Sequence, residues 1–172
     1  MAWSRAAGAS PSPSRARPLF APTQDTPPPP QKKQQQQHQN SAITFLDNHD
    51  TGSTLNHWPF PSQHLAEGYA YILTHPGTPT VFYDHLYTEA NGLRRSILDL
   101  LAVRKRNGLS CRSPVVVRKA AADAYAATID DRVAVKIGRG DWAPDKAKVE
   151  AAGGKRWRLT LSGPGWAVWE TE

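Results

Sequence analysis

Four consecutive prolines, Pro27–Pro30, and the glutamine run Gln34–Gln37 bar the start of this chain from a packed core. Each proline lacks a backbone N–H and holds φ near the polyproline II value, and the glutamines bring nothing apolar to bury. Residues 1–40 hold eight of the fifteen prolines, seven glutamines and few large apolar side chains, so a disordered tail is expected there. About 130 residues are left, enough for one small domain or for part of a larger one. No apolar run approaches the ~18 residues of a membrane-spanning helix, so no membrane partner is expected. Cys111 is the single cysteine, which excludes an internal disulfide framework.

The net charge of +6 divides unevenly. Arg5, Arg15, Arg17, Lys32 and Lys33 against Asp25 place +4 in residues 1–40, leaving +2 for the other 132 residues. A basic tail of this kind associates weakly with polyanions through charge alone. It does not make the remainder a specific nucleic-acid reader. No run of 7–15 apolar residues follows Met1, so no secretory signal is expected. The first 24 residues are rich in Arg, Ser and Ala and contain no acid, which loosely suits an organellar transit peptide; low-complexity sequence with no address is the plainer alternative. Plastid, cytoplasm and cell exterior all stay open.

At Ser41 the composition changes. Ala42–Leu46 is a short apolar run predicted to be a buried strand, and it ends in the polar cluster Asp47-Asn48-His49-Asp50. Ser62 is placed to cap a helix carrying Leu65, Tyr69, Ile72 and Leu73, which His75-Pro76-Gly77 stops. Thr80–Tyr83 is predicted as a second buried strand, and Gly92–Asn107 as a second helix with Leu93, Ile97, Leu100 and Leu101 on one face. Strand–helix–strand–helix implies parallel strands with crossover helices. After Gly108 the runs Val115–Lys119, Ala124–Ile129, Val133–Ile137, Trp157–Leu161 and Trp166–Trp169 predict a small antiparallel sheet, with Asp130-Asp131 as a hairpin turn.

The strand end at Asp47–Asp50 carries the chemistry. Sites in α/β folds are built where parallel strands end, and two carboxylates and an imidazole gather there. Turn-making is the bland alternative for Asp and Asn in a loop. These are also metal-ligand types, but the cluster is compact and short of further ligands, so no metal site is assigned. The six histidines show no metal-ligand spacing.

Beyond spacing, the run Phe45-Leu46-Asp47-Asn48-His49-Asp50-Thr51-Gly52-Ser53-Thr54 with Trp58-Pro59-Phe60-Pro61 resembles plant α-amylases of glycoside hydrolase family 13. Gly68–Gly77, Phe82-Tyr83-Asp84-His85, Arg104–Gly108, Val135–Gly138 and Ala167–Glu170 continue the match in the family's order, over residues 42–170. The resemblance implies an α/β plus all-β fold with three parts. Residues 1–40 are the tail. Residues 41–108 are the last two βα units of a (β/α)8 barrel. Residues 109–172 are a C-terminal antiparallel β-sheet domain.

The activity implied is endo-hydrolysis of α-1,4-glucosidic bonds in starch or maltooligosaccharides with retention. Retention uses a carboxylate nucleophile and a carboxylic acid/base about 5–5.5 Å apart. Nothing in this sequence matches either. Asp50 matches the family's third carboxylate, which stabilises the transition state, and His49 matches the adjacent substrate-binding histidine. Asp47 alternates to the other side of the strand end and is not counted as catalytic. Trp58 is a further candidate for sugar contact, with packing under the Pro59-Phe60-Pro61 turn as its alternative. Lys136 and Trp169, with Trp142, are candidates for a second sugar-contacting patch, against core packing or solvated charge. Calcium is expected for the full-length family, but its ligands are not identifiable here. The chain is therefore expected to be an α-amylase piece, inactive alone. A non-catalytic carbohydrate-binding or interaction module is the alternative. A partial barrel would expose apolar faces, so self-association is expected as well.

Overall fold

The structure is a computed structural model that describes residues 42–52, 57–87 and 92–172. The expected tail, residues 1–40, lies outside the described residues.

Two parallel strands open the fold: β1, Ile43–Thr44, and β2, Thr78–Pro79, paired Ile43 with Thr78 and Thr44 with Pro79. Thr78 N–H donates to Ala42 O at 2.8 Å and Thr80 N–H to Thr44 O at 2.7 Å. Pro79, which has no N–H, falls between these two donors, where none is needed. The second strand was predicted at Thr80–Tyr83 and is corrected to Thr78–Pro79. Pairing stops at Thr80, Phe82 N–H turns to the Tyr69 hydroxyl, and the chain enters a short helix α2, Tyr83–Tyr87. The first strand is also shorter than the predicted Ala42–Leu46. It is not buried either: Ile43 is 69% and Phe45 49% exposed, and among the described residues β2 is its one partner strand.

Helix α1, Leu65–Thr74, follows a 3-10 turn at Ser62–His64. Ser62 does not cap it; the residue at the cap is His64, which makes no side-chain cap bond. Pro61 starts the turn one step too early for Ser62 to reach the α-helical N–H groups. The helix ends as predicted. His75 precedes Pro76 and is therefore driven to extended backbone, φ −83° and ψ 163°. Helix α3, Leu93–Arg106, buries Leu93, Ile97, Leu100 and Val103. Its basic last turn, Arg104–Arg106, suits the negative end of the helix dipole.

The five-stranded sheet comprises β3 (Val115–Ala120), β4 (Ala124–Ile129), β5 (Val133–Gly138), β6 (Trp157–Gly163) and β7 (Trp166–Thr171). Its order is β3-β4-β5-β7-β6, antiparallel throughout. Asp130 and Asp131 make the β4–β5 turn with φ of 52° and 50°, a left-handed conformation that Asp tolerates better than most residues.

One face of the sheet, with Ala127, Ile129, Val133, Val135, Trp166 and Val168, shares a core with α1 and α3. The opposite face carries Ala134, Trp157 and Trp169 under the loop that holds Trp142 and Val149. Two polar devices fasten the end of α1, one to α3 and one to the sheet. Arg104 donates to the carbonyls of Leu73 at 3.0 Å, His75 at 2.8 Å and Gly77 at 2.8 Å. His75 Nδ1–H donates to Tyr71 O at 2.9 Å, while Nε2 accepts from the Tyr125 hydroxyl of β4 at 2.8 Å. No described helix is long and apolar enough to cross a membrane.

Candidate functional site

The loop leaving β1 is organised from its buried first residue outward. Asp47 is 3% exposed. Its Oδ1 accepts from the Thr51 hydroxyl at 2.7 Å and from Phe60 N–H at 3.0 Å. A buried carboxylate is tolerable only when donors surround it. Thr51 Oγ1 in turn accepts Asn48 N–H at 3.0 Å. Asn48 Oδ1 accepts the N–H groups of Asp50 at 2.9 Å and Thr51 at 3.1 Å, a side-chain-made turn. Gly52 N–H donates to Asn48 O at 2.9 Å, and His57 N–H to Asp50 O at 3.1 Å, so the far limb of the loop is tied back to its tip. Gly52 has no alternative here: a Cβ would stand 2.7 Å from the Phe82 ring.

This scaffold turns His49 and Asp50 outward. Their side chains are 84% and 61% exposed, with Nε2 3.4 Å from Oδ1. A carboxylate beside an imidazole, both open to solvent, offers an anion and a hydrogen-bond donor to a polyhydroxyl ligand. Trp58 follows His57, the residue whose N–H is tied to Asp50 O. It is 92% exposed and has φ 53°, so packing under the Pro59-Phe60-Pro61 turn is not what it does. Phe60 fills that inner position instead, against Gly68, where a Cβ would lie 3.0 Å from the Phe60 ring.

Beneath the loop lies a group that spacing alone did not single out. The Tyr69 hydroxyl, on α1, meets His85 Nδ1 at 2.8 Å, and His85 Nε2 lies 3.4 Å from Asp47 Oδ2. Burial is the main cause of a Tyr69 pKa pushed up to about 12; the Phe82 N–H bond opposes that and the Asp47 charge adds to it. Tyr69 therefore stays a donor at neutral pH. The signal available in the sequence was chemical: a tyrosine within an apolar helix stripe needs a partner for its hydroxyl.

Lys136 and Trp169 are not part of this loop. They lie on β5 and β7, on the sheet face away from the helices. Trp169 is 8% exposed, edge-on to Trp142 at 5.7 Å between ring centroids, which makes it core rather than an open platform. Lys136 is half-buried, and the Asp141 carboxylate is bonded instead by Lys146 at 2.8 Å. Among the described residues no group of three or more His, Cys, Asp or Glu side chains could hold a metal ion.

Residues 106–170 match the family model of the α-amylase C-terminal β-sheet domain. The chain is 49% identical over 128 residues to probable α-amylase 2 of Arabidopsis thaliana, covering 74% of this chain and 29% of that protein. It is 47% identical over 130 residues to α-amylase 3, chloroplastic, of the same plant, covering 76% and 14%. Identity to the α-amylase type B isozyme of Hordeum vulgare is 52% over 97 residues, 56% and 62% of the two chains. The chain thus resembles the C-terminal part of plant α-amylases, and it spans between 14% and 62% of the length of these relatives. In fold it is similar to a solved cyclomaltodextrin glucanotransferase with a three-domain ABC distribution, at a TM-score of 0.52 and 18% identity over 77% of this chain and 36% of the other.

Proposed function

We propose that this chain is the closing part of a retaining α-amylase, with residues 41–108 completing a (β/α)8 barrel and residues 109–172 forming the β-sheet domain. Its substrates are starch and maltooligosaccharides. The observation that carries this is the outward pairing of His49 and Asp50 on a loop fastened from beneath. Asp50 places negative charge where the sugar ring becomes oxocarbenium-like, and His49 donates to sugar hydroxyls as the ring distorts. The exposed Trp58 ring, on the limb tied to Asp50 through His57, provides an apolar platform for a sugar. Neither Asp50 nor His49 supplies a nucleophile or proton donor to the scissile bond, so bond cleavage needs two further carboxyl groups, and the 172-residue chain alone releases no reducing ends. Calcium belongs to the whole family's chemistry. The described residues offer no cluster suited to its six to eight oxygen ligands, and no step here runs through it.

The two strands β1 and β2 pair with no further strand among the described residues, and Ile43 and Phe45 are exposed, which favours self-association of the isolated chain. A carbohydrate-binding role centred on Trp169 is the weaker reading, since sugar would have to displace the loop that covers the ring. The test is starch hydrolysis by the purified chain and its Asp50→Asn variant, beside maltoheptaose binding. Binding by the parent, lost or weakened in Asp50→Asn, with no reducing ends from either protein, supports the proposal. Reducing ends from the parent alone would refute the missing-machinery part. Equal binding by both would refute the role of Asp50.

A further inference from the structure

Three polar side chains from three separate elements meet under the loop: Tyr69 of α1, His85 of α2 and Asp47 at the exit of β1. All three are buried, at 0%, 6% and 3% exposure. As packing this is a poor choice, because apolar side chains of similar volume usually stabilise a core as well or better. What such a group supplies is direction. Phe82 N–H donates to the Tyr69 oxygen at 3.3 Å, so the hydroxyl proton is free to go to His85 Nδ1 at 2.8 Å. That leaves the His85 proton on Nε2, facing Asp47 Oδ2 at 3.4 Å. This is the tautomer in which each of these contacts joins a donor to an acceptor. Asp47 then takes the Thr51 hydroxyl and Phe60 N–H, Thr51 takes Asn48 N–H, and Asn48 Oδ1 takes Asp50 N–H. One path of ordered polar contacts runs from Phe82 to the peptide of Asp50.

The rings under the loop are held as well. His85 meets Tyr69 edge-on at 5.7 Å and Phe82 edge-on at 5.2 Å. The bare Cα of Gly52 passes between the Phe82 ring and Asp47. The column therefore ties the end of β1 and the turn after β2 to one helix, and the exposed His49–Asp50 pair stands on top of it.

We propose that Tyr69 and His85 are positioning residues, acting through Asp47 to hold the loop in the one geometry that presents His49 and Asp50 to a glucan. The identity of the glucan rests on the proposed function; the coupling of the column to the loop does not.

The test uses the full 172-residue chain with Tyr69→Phe, which removes a single oxygen, and Asp47→Asn, whose amide cannot serve Thr51, Phe60 and His85 in their present senses. Ile97→Val, a buried α3 side chain of the same core that takes no part in the column's hydrogen bonds, serves as a control for lost packing. Imidazole 15N shifts read the His85 tautomer, backbone relaxation reads residues 47–52 and 57–60, and the His49 ring signals follow a maltoheptaose titration. The parent is expected to show His85 protonated on Nε2. Both column variants are expected to mobilise the loop and weaken maltoheptaose binding by about tenfold, the lower end of the 10- to 100-fold loss seen when hydrogen-bond partners that orient metal ligands are removed. The control is expected to leave loop and affinity unchanged. Loop relaxation and affinity in Tyr69→Phe equal to the parent's would overturn the proposal, as would an equal effect of Ile97→Val. A parent that binds no maltoheptaose, with both variants still loosening the loop, would leave the positioning role standing and refute the glucan assignment.

Discussion

Replacing His75 should change how the stability of this chain responds to acid, and the size of the change can be worked from its surroundings. Burial is the main cause of a His75 pKa lowered from 6.5 to about 4; the Tyr71 carbonyl bond pulls the other way, and the Arg104 charge adds to the lowering. The geometry agrees. Nδ1–H is committed to Tyr71 O, so a second proton would have to go on Nε2, where the Tyr125 hydroxyl already donates. The folded chain thus keeps His75 neutral well below the pH at which the unfolded chain protonates it. Stability from this group is complete above about pH 6.5, falls as the pH falls, and is gone by about pH 4. At 1.36 kcal/mol per pKa unit, the whole loss is about 3 kcal/mol. Urea unfolding followed by tryptophan fluorescence, at several pH values from about 7.5 to about 4, compares the parent with His75→Gln. The other histidines are common to both proteins and cancel in the difference. The stability advantage of the parent over the variant should shrink by about 3 kcal/mol across that window, with equal m values. A difference that stays flat with pH would refute the neutral, buried His75.

Three further outcomes are expected. Gly138→Ala should cost about 3 kcal/mol by thermal or urea unfolding, because φ is +102° and a Cβ would sit 2.5 Å from the Asp123 carbonyl oxygen, a backbone atom that cannot swing away. Arg104→Met strips the donor from three carbonyls at the end of α1 and should cost about 3 kcal/mol in the same assay; Arg104→Lys should recover only part of it, since one ammonium cannot reproduce the fork. Trp58→Ala should leave stability within about 0.5 kcal/mol, as expected for so exposed a side chain, yet weaken maltoheptaose binding about tenfold by titration.

What could be foreseen from the residues follows how local the cause is. The β4–β5 turn was legible because Asp130 and Asp131 are themselves the residues that accept positive φ. The end of α1 was legible because Pro76 dictates the backbone of His75. β2 was misplaced because a parallel partner more than thirty residues away sets its register, and Pro79 looks like a strand breaker until the two donors flanking it are seen. Ile43 and Phe45 read as buried because an apolar run says nothing about whether the second neighbouring strand is there to cover it.

The candidate site divides in the same way. Asp47–Asp50 drew attention as a polar cluster closing an apolar strand, a feature of adjacent residues. The Tyr69–His85–Asp47 column has no such pattern, since its members are brought together by packing of three elements. Trp58 lies between these cases: a bulky residue at φ 53° is strained on its own, and the ties of the loop through His57 and Phe60 hold it there. A strained, exposed tryptophan on the same loop as an exposed carboxylate and imidazole brings no packing return. The buried column and the tied limbs supply the stability, and the tip of the loop keeps its three side chains open to solvent.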